Sequence, residues 1–185
     1  FSRHRRIRTV ADGLNSWLGG GLRAPSLLLQ SHLFSLPKCV TDGSFFQAVA
    51  AKGRSGIEGP IYPGTCLHNP PPQNQAAAWR FAVDSSPIVC TDRVYGEITQ
   101  RLRDDVGDFI VYRIDGYCAY QLAVVIDDAD QAITHVVRGA DLLSSTPRQI
   151  AVQHALGLPS LSYAHIPLVM GKDGRKLSKT DAAFP

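Results

Sequence analysis

Apolar residues recur along this chain with several different rhythms. Ile7, Val10, Leu14 and Leu18 sit at helical spacing, and Gly19-Gly20-Gly21 stops the run, so the spacing predicts a helix over residues 4–18. Residues 22–75 lose this periodicity. They are rich in Gly, Pro, Ser and Asn and end in Pro70-Pro71-Pro72, which predicts an irregular insertion closed by a stiff connector. Three short strand-like stretches follow at Trp79–Val83, Pro87–Cys90 and Asp108–Tyr112. The run Leu122–Ile126 within Cys118–Asp130 fits either a helix or a buried strand; we read it as a helix with Tyr120 near its start.

Beyond that point the order becomes regular. Ile133–Val137 predicts a strand that ends at Arg138-Gly139-Ala140-Asp141. Thr146-Pro147-Arg148-Gln149 then opens a helix: Thr146 as cap, Pro147 in the first turn, and Gln149 reaching back in a capping box. Ile150, Gln153 and Ala155-Leu156 continue it, and Gly157 ends it. Ala164–Val169 predicts a last strand leading into Gly171-Lys172-Asp173-Gly174 and Lys176-Leu177-Ser178-Lys179. Strand, helix, strand and loop in that order imply an α/β fold with parallel pairing.

Composition narrows the class without choosing a function. The 185 residues suit one domain with a small insertion, and 44% hydrophobic with 19% charged residues is a globular balance. No apolar run reaches the ~20 residues that span a bilayer. A net charge of +3 permits contact with nucleic acid without arguing for it. The arginines of the 4–18 helix read as a solvated face or, more sharply, as an RNA contact. Cys39, Cys66, Cys90 and Cys118 form no paired pattern, which favours free thiols in a reducing compartment and makes cytoplasm the expected location.

Candidate chemistry gathers in the final third. Lys176, Ser178 and Lys179 place two ammonium groups and a hydroxyl on one short loop. That is suitable for a polyphosphate whose charge grows as a bond breaks; the alternative is a solvated lysine loop with no ligand. Arg138 is expected just past the carboxyl end of a parallel strand, facing the crevice where α/β proteins bind ligands. Its guanidinium is suited to a carboxylate held by two parallel hydrogen bonds, with the Tyr120 hydroxyl beside it. The alternatives are an ion pair of Arg138 with Asp141 or Asp127, and a packed core role for Tyr120.

Five stretches carry a resemblance: Tyr120–Asp128, Val137–Leu143, Ser145–Ile150, His165–Leu168 and Lys176–Lys179. In this order and spacing they resemble the class I glutamyl-tRNA synthetases, and within them the short glutamyl-Q tRNA(Asp) branch that lacks an anticodon-binding domain. Ala140-Asp141-Leu142 and Thr180 are the details that favour the short branch. The likeness is collinear over residues 104–185 and thin before residue 80. It implies a Rossmann-type class I catalytic domain and a reaction in which glutamate and ATP, with Mg2+, give glutamyl-adenylate and pyrophosphate. The glutamyl group would then pass to the queuosine base in the anticodon stem-loop of tRNA(Asp). Tyr120 and Arg138 would hold glutamate; Lys179, with Lys176 and Ser178, would contact ATP.

The resemblance also implies departures. The family's opening strand, with its arginine for glutamate, and the histidine signature for ATP have no counterpart here, and Ser31-His32-Leu33-Phe34 matches the latter only superficially. Residues 1–25 are therefore expected to be a remnant of the first nucleotide-binding half, 26–75 an insertion like the family's zinc site, and 76–185 the connecting strands and second half. On this reading the chain is a partial catalytic domain, and the isolated chain is expected not to form the adenylate. Tyr62 and Cys66 match the last two zinc ligands of the family, whereas Ser26 and Leu28 stand where the first cysteine pair belongs, so the Zn2+ site is expected to be degraded. A monomer with no membrane association completes the expectation.

Overall fold

A computed structural model describes residues 38–39, 55–56, 59–72, 75–171 and 176. The expected helix at 4–18 and most of the insertion lie outside these residues, as do Ser178 and Lys179. Three sheets form. Strands β1 (Lys38–Cys39), β2 (Ser55–Gly56) and β3 (Gly59–Pro60) are two-residue pairs, and a single helical turn α1 (Thr65–His68) follows. Strands β4 (Ala78–Phe81), β5 (Ile88–Asp92) and β6 (Gly96–Gln100) precede a short helix α2 (Leu102–Asp105) and strand β7 (Phe109–Tyr112). Helix α3 (Tyr120–Asp130), strand β8 (His135–Gly139), a 3₁₀ turn at Ala140–Ser145, helix α4 (Thr146–Ala155) and strand β9 (Ser162–Ile166) complete the order.

Strands β1, β4 and β7 pair antiparallel, β2 and β3 form a separate pair, and the third sheet runs β6-β5-β9-β8. Within it β5 pairs parallel with β9, and β9 pairs parallel with β8 over its full length. This is the expected α/β arrangement with parallel strands. The hairpin partner β6 was not foreseen. Asp92 makes the turn, since its Oδ1 accepts the Val94 and Tyr95 N–H groups at 2.9 and 3.0 Å, and Gly96 takes φ 78°. A three-residue loop closed by a left-handed glycine is a common hairpin solution.

Among the described residues an apolar core joins the two larger sheets to the helices. Leu122, Val125 and Ile126 project from one face of α3 at i, i+3 and i+4 and meet Val111 and Phe109 of β7 with Ala151 and Val152 of α4. That face shows why Leu122–Ile126 folds as a helix. The start of α3 is tied to β7 by the Ala119 N–H donating to the Val111 carbonyl at 2.9 Å, so Tyr120 emerges beside the strand.

Several expectations change: β8 begins at His135 rather than Ile133, and the last strand covers Ser162–Ile166 rather than Ala164–Val169. β8 extends through Gly139, pairing Arg138 with His165 and Gly139 with Ile166, so Arg138 lies within the strand's carboxyl end rather than past it. The capping box at Thr146 does not form. The 3₁₀ turn runs directly into α4 with Ser145 already helical, and no side chain caps it. The first amides of α4 follow a preceding turn of helix, which leaves Thr146 and Gln149 for other partners.

Candidate active site

Arg138 is the centre of the site, and four elements hold it. Its Nε donates to His165 Nε2 at 3.0 Å, and its Nη2 donates to Thr146 Oγ1 at 2.8 Å and, at 3.4 Å, to the Leu142 carbonyl. Nη1 reaches the Tyr120 hydroxyl at 3.5 Å. The guanidinium carbon also stands 5.6 Å from the centre of the Tyr163 ring. Arg138 and Tyr120 therefore converge. Tyr120 is half exposed rather than a packed core aromatic. The expected two-bond grip needs revision, because Nη2 is already engaged by Thr146 and Leu142. The edge left facing outward is Nη1 beside the Tyr120 hydroxyl.

His165 is buried completely, and Asp92 nearly so. The imidazole Nδ1 lies 2.7 Å from Asp92 Oδ2, and the His165 backbone N–H reaches Asp92 Oδ1 at 3.3 Å. Arg138 Nε always carries a hydrogen, so His165 Nε2 must be the acceptor and Nδ1 the protonated nitrogen. Burial would raise the Asp92 carboxyl. Hydrogen bonds from the His165 ring and from the Tyr95, Val94 and His165 amides outweigh it and hold the acid well below the usual carboxylate range. The sequence reading gave neither Asp92 nor His165 a role. A signal was present in Thr91-Asp92-Arg93-Val94-Tyr95-Gly96, where an acid before a glycine turn marks a fixed carboxylate, but the histidine partner is 73 residues away.

A polar layer backs the site. Gln149 Nε2 donates to Gln121 Oε1 at 3.0 Å, while Gln121 Nε2 and Arg148 Nη2 donate to Ser145 Oγ at 3.1 and 3.2 Å. Residues 145–153 are all buried, so α4 meets solvent only at its last residues, and these bonds satisfy much of the polarity that it carries inside. Lys176 pairs back with Met170 and its ammonium contacts Asp141 Oδ2. The Lys176 hydrogen bond is the main reason the Asp141 carboxyl titrates lower than usual. Asp141 thus partners Lys176 rather than Arg138, and Lys176 lies beside the residues that follow β8.

Tyr62 and Cys66, the two residues that match the family's zinc ligands, have other partners here. Tyr62 is buried, its hydroxyl accepts the Cys66 N–H at 2.7 Å, and the Arg80 guanidinium lies 4.0 Å over its ring. A cation stacked on the ring and a hydrogen bond on the oxygen do not favour a metal-bound phenolate. Among the described residues no three His, Cys, Asp or Glu side chains gather as a metal site. Two candidate ligands do not fit a four-coordinate structural zinc.

The family described as tRNA synthetases class I (E and Q), catalytic domain, matches residues 67–184. The chain belongs to that family. A Chromobacterium violaceum relative, a glutamyl-Q tRNA(Asp) synthetase, is 50% identical over 135 residues, which are 73% of this chain and 45% of the relative. The glutamyl-Q tRNA(Asp) synthetase of Thiobacillus denitrificans is 54% identical over 123 residues, covering 66% and 41% of the two chains. The chain thus spans less than half the length of these curated relatives. A glutamate tRNA ligase from Elizabethkingia meningosepticum, solved with its amino acid, shares the fold with a TM-score of 0.66 at 21% identity. That match covers 90% of this chain and 39% of the other.

Proposed function

We propose that the protein carrying this chain activates glutamate with MgATP and transfers it to the queuosine base of tRNA(Asp). The observation that carries the reading is the meeting of Arg138 Nη1 and the Tyr120 hydroxyl at the carboxyl end of β8. There they form a cationic, hydrogen-bonding edge for a carboxylate within a class I catalytic fold. The names of the relatives support the finer substrate assignment. In the reaction a glutamate carboxylate oxygen bonds to the α-phosphorus of ATP, the bond to the bridging oxygen breaks, and pyrophosphate leaves. Arg138 and Tyr120 orient the amino acid for that attack. Lys176, Ser178 and Lys179 stabilise the charge that accumulates on the departing pyrophosphate. Residues 76–185 then act as the second half of the nucleotide-binding domain. The protein works as a cytoplasmic monomer on the anticodon stem-loop.

The test is glutamate-dependent ATP–pyrophosphate exchange by this chain and by the longest product of its gene. Transfer of labelled glutamate to tRNA(Asp) with and without queuosine, and to tRNA(Glu), completes it. We expect exchange by the long product and transfer only to queuosine-containing tRNA(Asp). Charging of tRNA(Glu) instead would reassign the substrate, and exchange with no amino acid other than aspartate or glutamine would sink the reading.

A further inference from the structure

We propose that Asp92 and His165 are positioning residues for Arg138, acting through one fixed tautomer of the His165 ring to turn the guanidinium's Nη1 edge toward the substrate carboxylate. The proposal deepens the glutamate-binding reading above and rests on it. The chain of contacts is short and directional. Asp92 Oδ2 receives Nδ1–H at 2.7 Å, and Nε2 receives Arg138 Nε–H at 3.0 Å. Neither Asp92 nor His165 reaches solvent, since their side chains are 1% and 0% exposed. They are therefore out of reach of substrate, and whatever they do for the ligand passes through Arg138.

The arrangement fixes more than position. An arginine on a strand can rotate about its long stem and present any of three edges. Here Nε is taken by His165 and Nη2 by Thr146, so the plane of the guanidinium is set by two bonds on different elements, β9 and α4. Only the Nη1 side then remains toward Tyr120. The tautomer is the sensitive element. Were Nε2 protonated, its hydrogen would face the Nε–H of Arg138, donor against donor, or turn to Thr146 Oγ1 at 3.3 Å; in either case the Arg138 Nε bond is lost and the guanidinium is free to swing away. The Asp92 carboxylate excludes this by demanding a proton on Nδ1, much as outer partners of metal-bound histidines fix ring orientation. Asp92 is itself immobilised, because its Oδ1 closes the β5–β6 turn through Val94 and Tyr95.

Asp92→Asn tests this with little change of shape. Oδ1 must still accept three amide hydrogens, so the new amide NH2 occupies the Oδ2 position and faces Nδ1 as a donor. The ring then flips to the Nε2–H tautomer. In 15N imidazole spectra of the longest gene product, we expect His165 to change from protonated Nδ1 to protonated Nε2. The same variant is expected to raise the glutamate KM in exchange about tenfold or more, leaving the ATP KM within about twofold. Should Asp92→Asn fold poorly, His165→Gln against His165→Leu asks the same question. The glutamine oxygen accepts Arg138 Nε–H and is expected to keep most of the glutamate affinity that leucine loses. Unchanged glutamate KM in Asp92→Asn, equal shifts for glutamate and ATP, or a glutamine variant no better than leucine would each overturn the proposal. A wild-type protein that does not use glutamate sinks the functional reading and the proposal together. Normal wild-type kinetics with indifferent variants sinks the proposal alone.

Discussion

Asp92 shows how one side chain serves turn, core and site at once. Three backbone amides and an imidazole converge on its two oxygens inside the protein, and that solvation replaces water. Its folded acid is held below the value of about 3.9 expected in an unfolded chain. A depressed carboxyl adds stability that is full above the unfolded value and lost as pH falls below about 4. Asp127 and Asp128 shift the other way, both raised chiefly by burial, but they titrate alike in wild type and variant. Hence Asp92→Asn is expected to cost about 2–3 kcal/mol near neutral pH. Urea midpoints of the two proteins should approach each other between about pH 5 and pH 2. A gap that widens in acid would contradict the ionised, hydrogen-bonded assignment.

At the scale of elements, the parts readable from sequence were those with local signals. Leu122, Val125 and Ile126 repeat at helical spacing, Gly157 stops α4, and three strand runs of bulky residues became β4, β5 and β7. Missed features depend on distant partners. Thr146 has the chemistry of a cap but is consumed by Arg138, and β6 is polar enough to hide as a loop until Asp92 closes its hairpin. Arg138 and Tyr120 were found through their place in the order of elements, whereas His165 becomes legible only when β8 lies beside β9. The two main helices also end alike with different residues. After α4, Gly157 takes φ 63° and the Leu158 N–H returns to the Gln153 carbonyl at 2.9 Å. After α3, Ala132 takes φ 52° and the Ile133 N–H returns to Asp128 at 2.9 Å. Alanine pays about 1–2 kcal/mol in that left-handed region, whereas glycine enters it freely. Ala132→Gly is therefore expected to raise stability by about 0.5–1 kcal/mol, read as a higher thermal midpoint with unchanged glutamate KM. A lower midpoint would mean that the lost Cβ matters more than the relieved strain.

At the scale of the whole molecule, the site hangs on the core rather than on either sheet alone. β8 and β9 expose Val137 and Ile166 on one side, at 68% and 53%, and the buried pair Tyr163 and His165 on the other. Arg138 therefore depends on the layer of α3 and α4 beneath it. That layer meets the antiparallel sheet through Leu122, which is 2% exposed and clustered with Val111, Val125 and Val152. Because this cluster joins β7, α3 and α4, the described elements should unfold together rather than sheet by sheet. Leu122→Ala removes packing on both sides of that junction and is expected to cost about 2–5 kcal/mol. Far-ultraviolet circular dichroism and tryptophan fluorescence, followed through the same urea titration, should report coincident transitions in wild type and variant. Trp79 lies on β4 with its ring 5.5 Å from that of Tyr112 of β7 and tilted 43° to it, so its emission reports the antiparallel sheet, although Trp17 also contributes and needs replacement by phenylalanine first. If the fluorescence transition stayed in place while the helical signal moved to lower urea, the two layers would be separate folding units. Arg138 would then be held by the α/β layer alone.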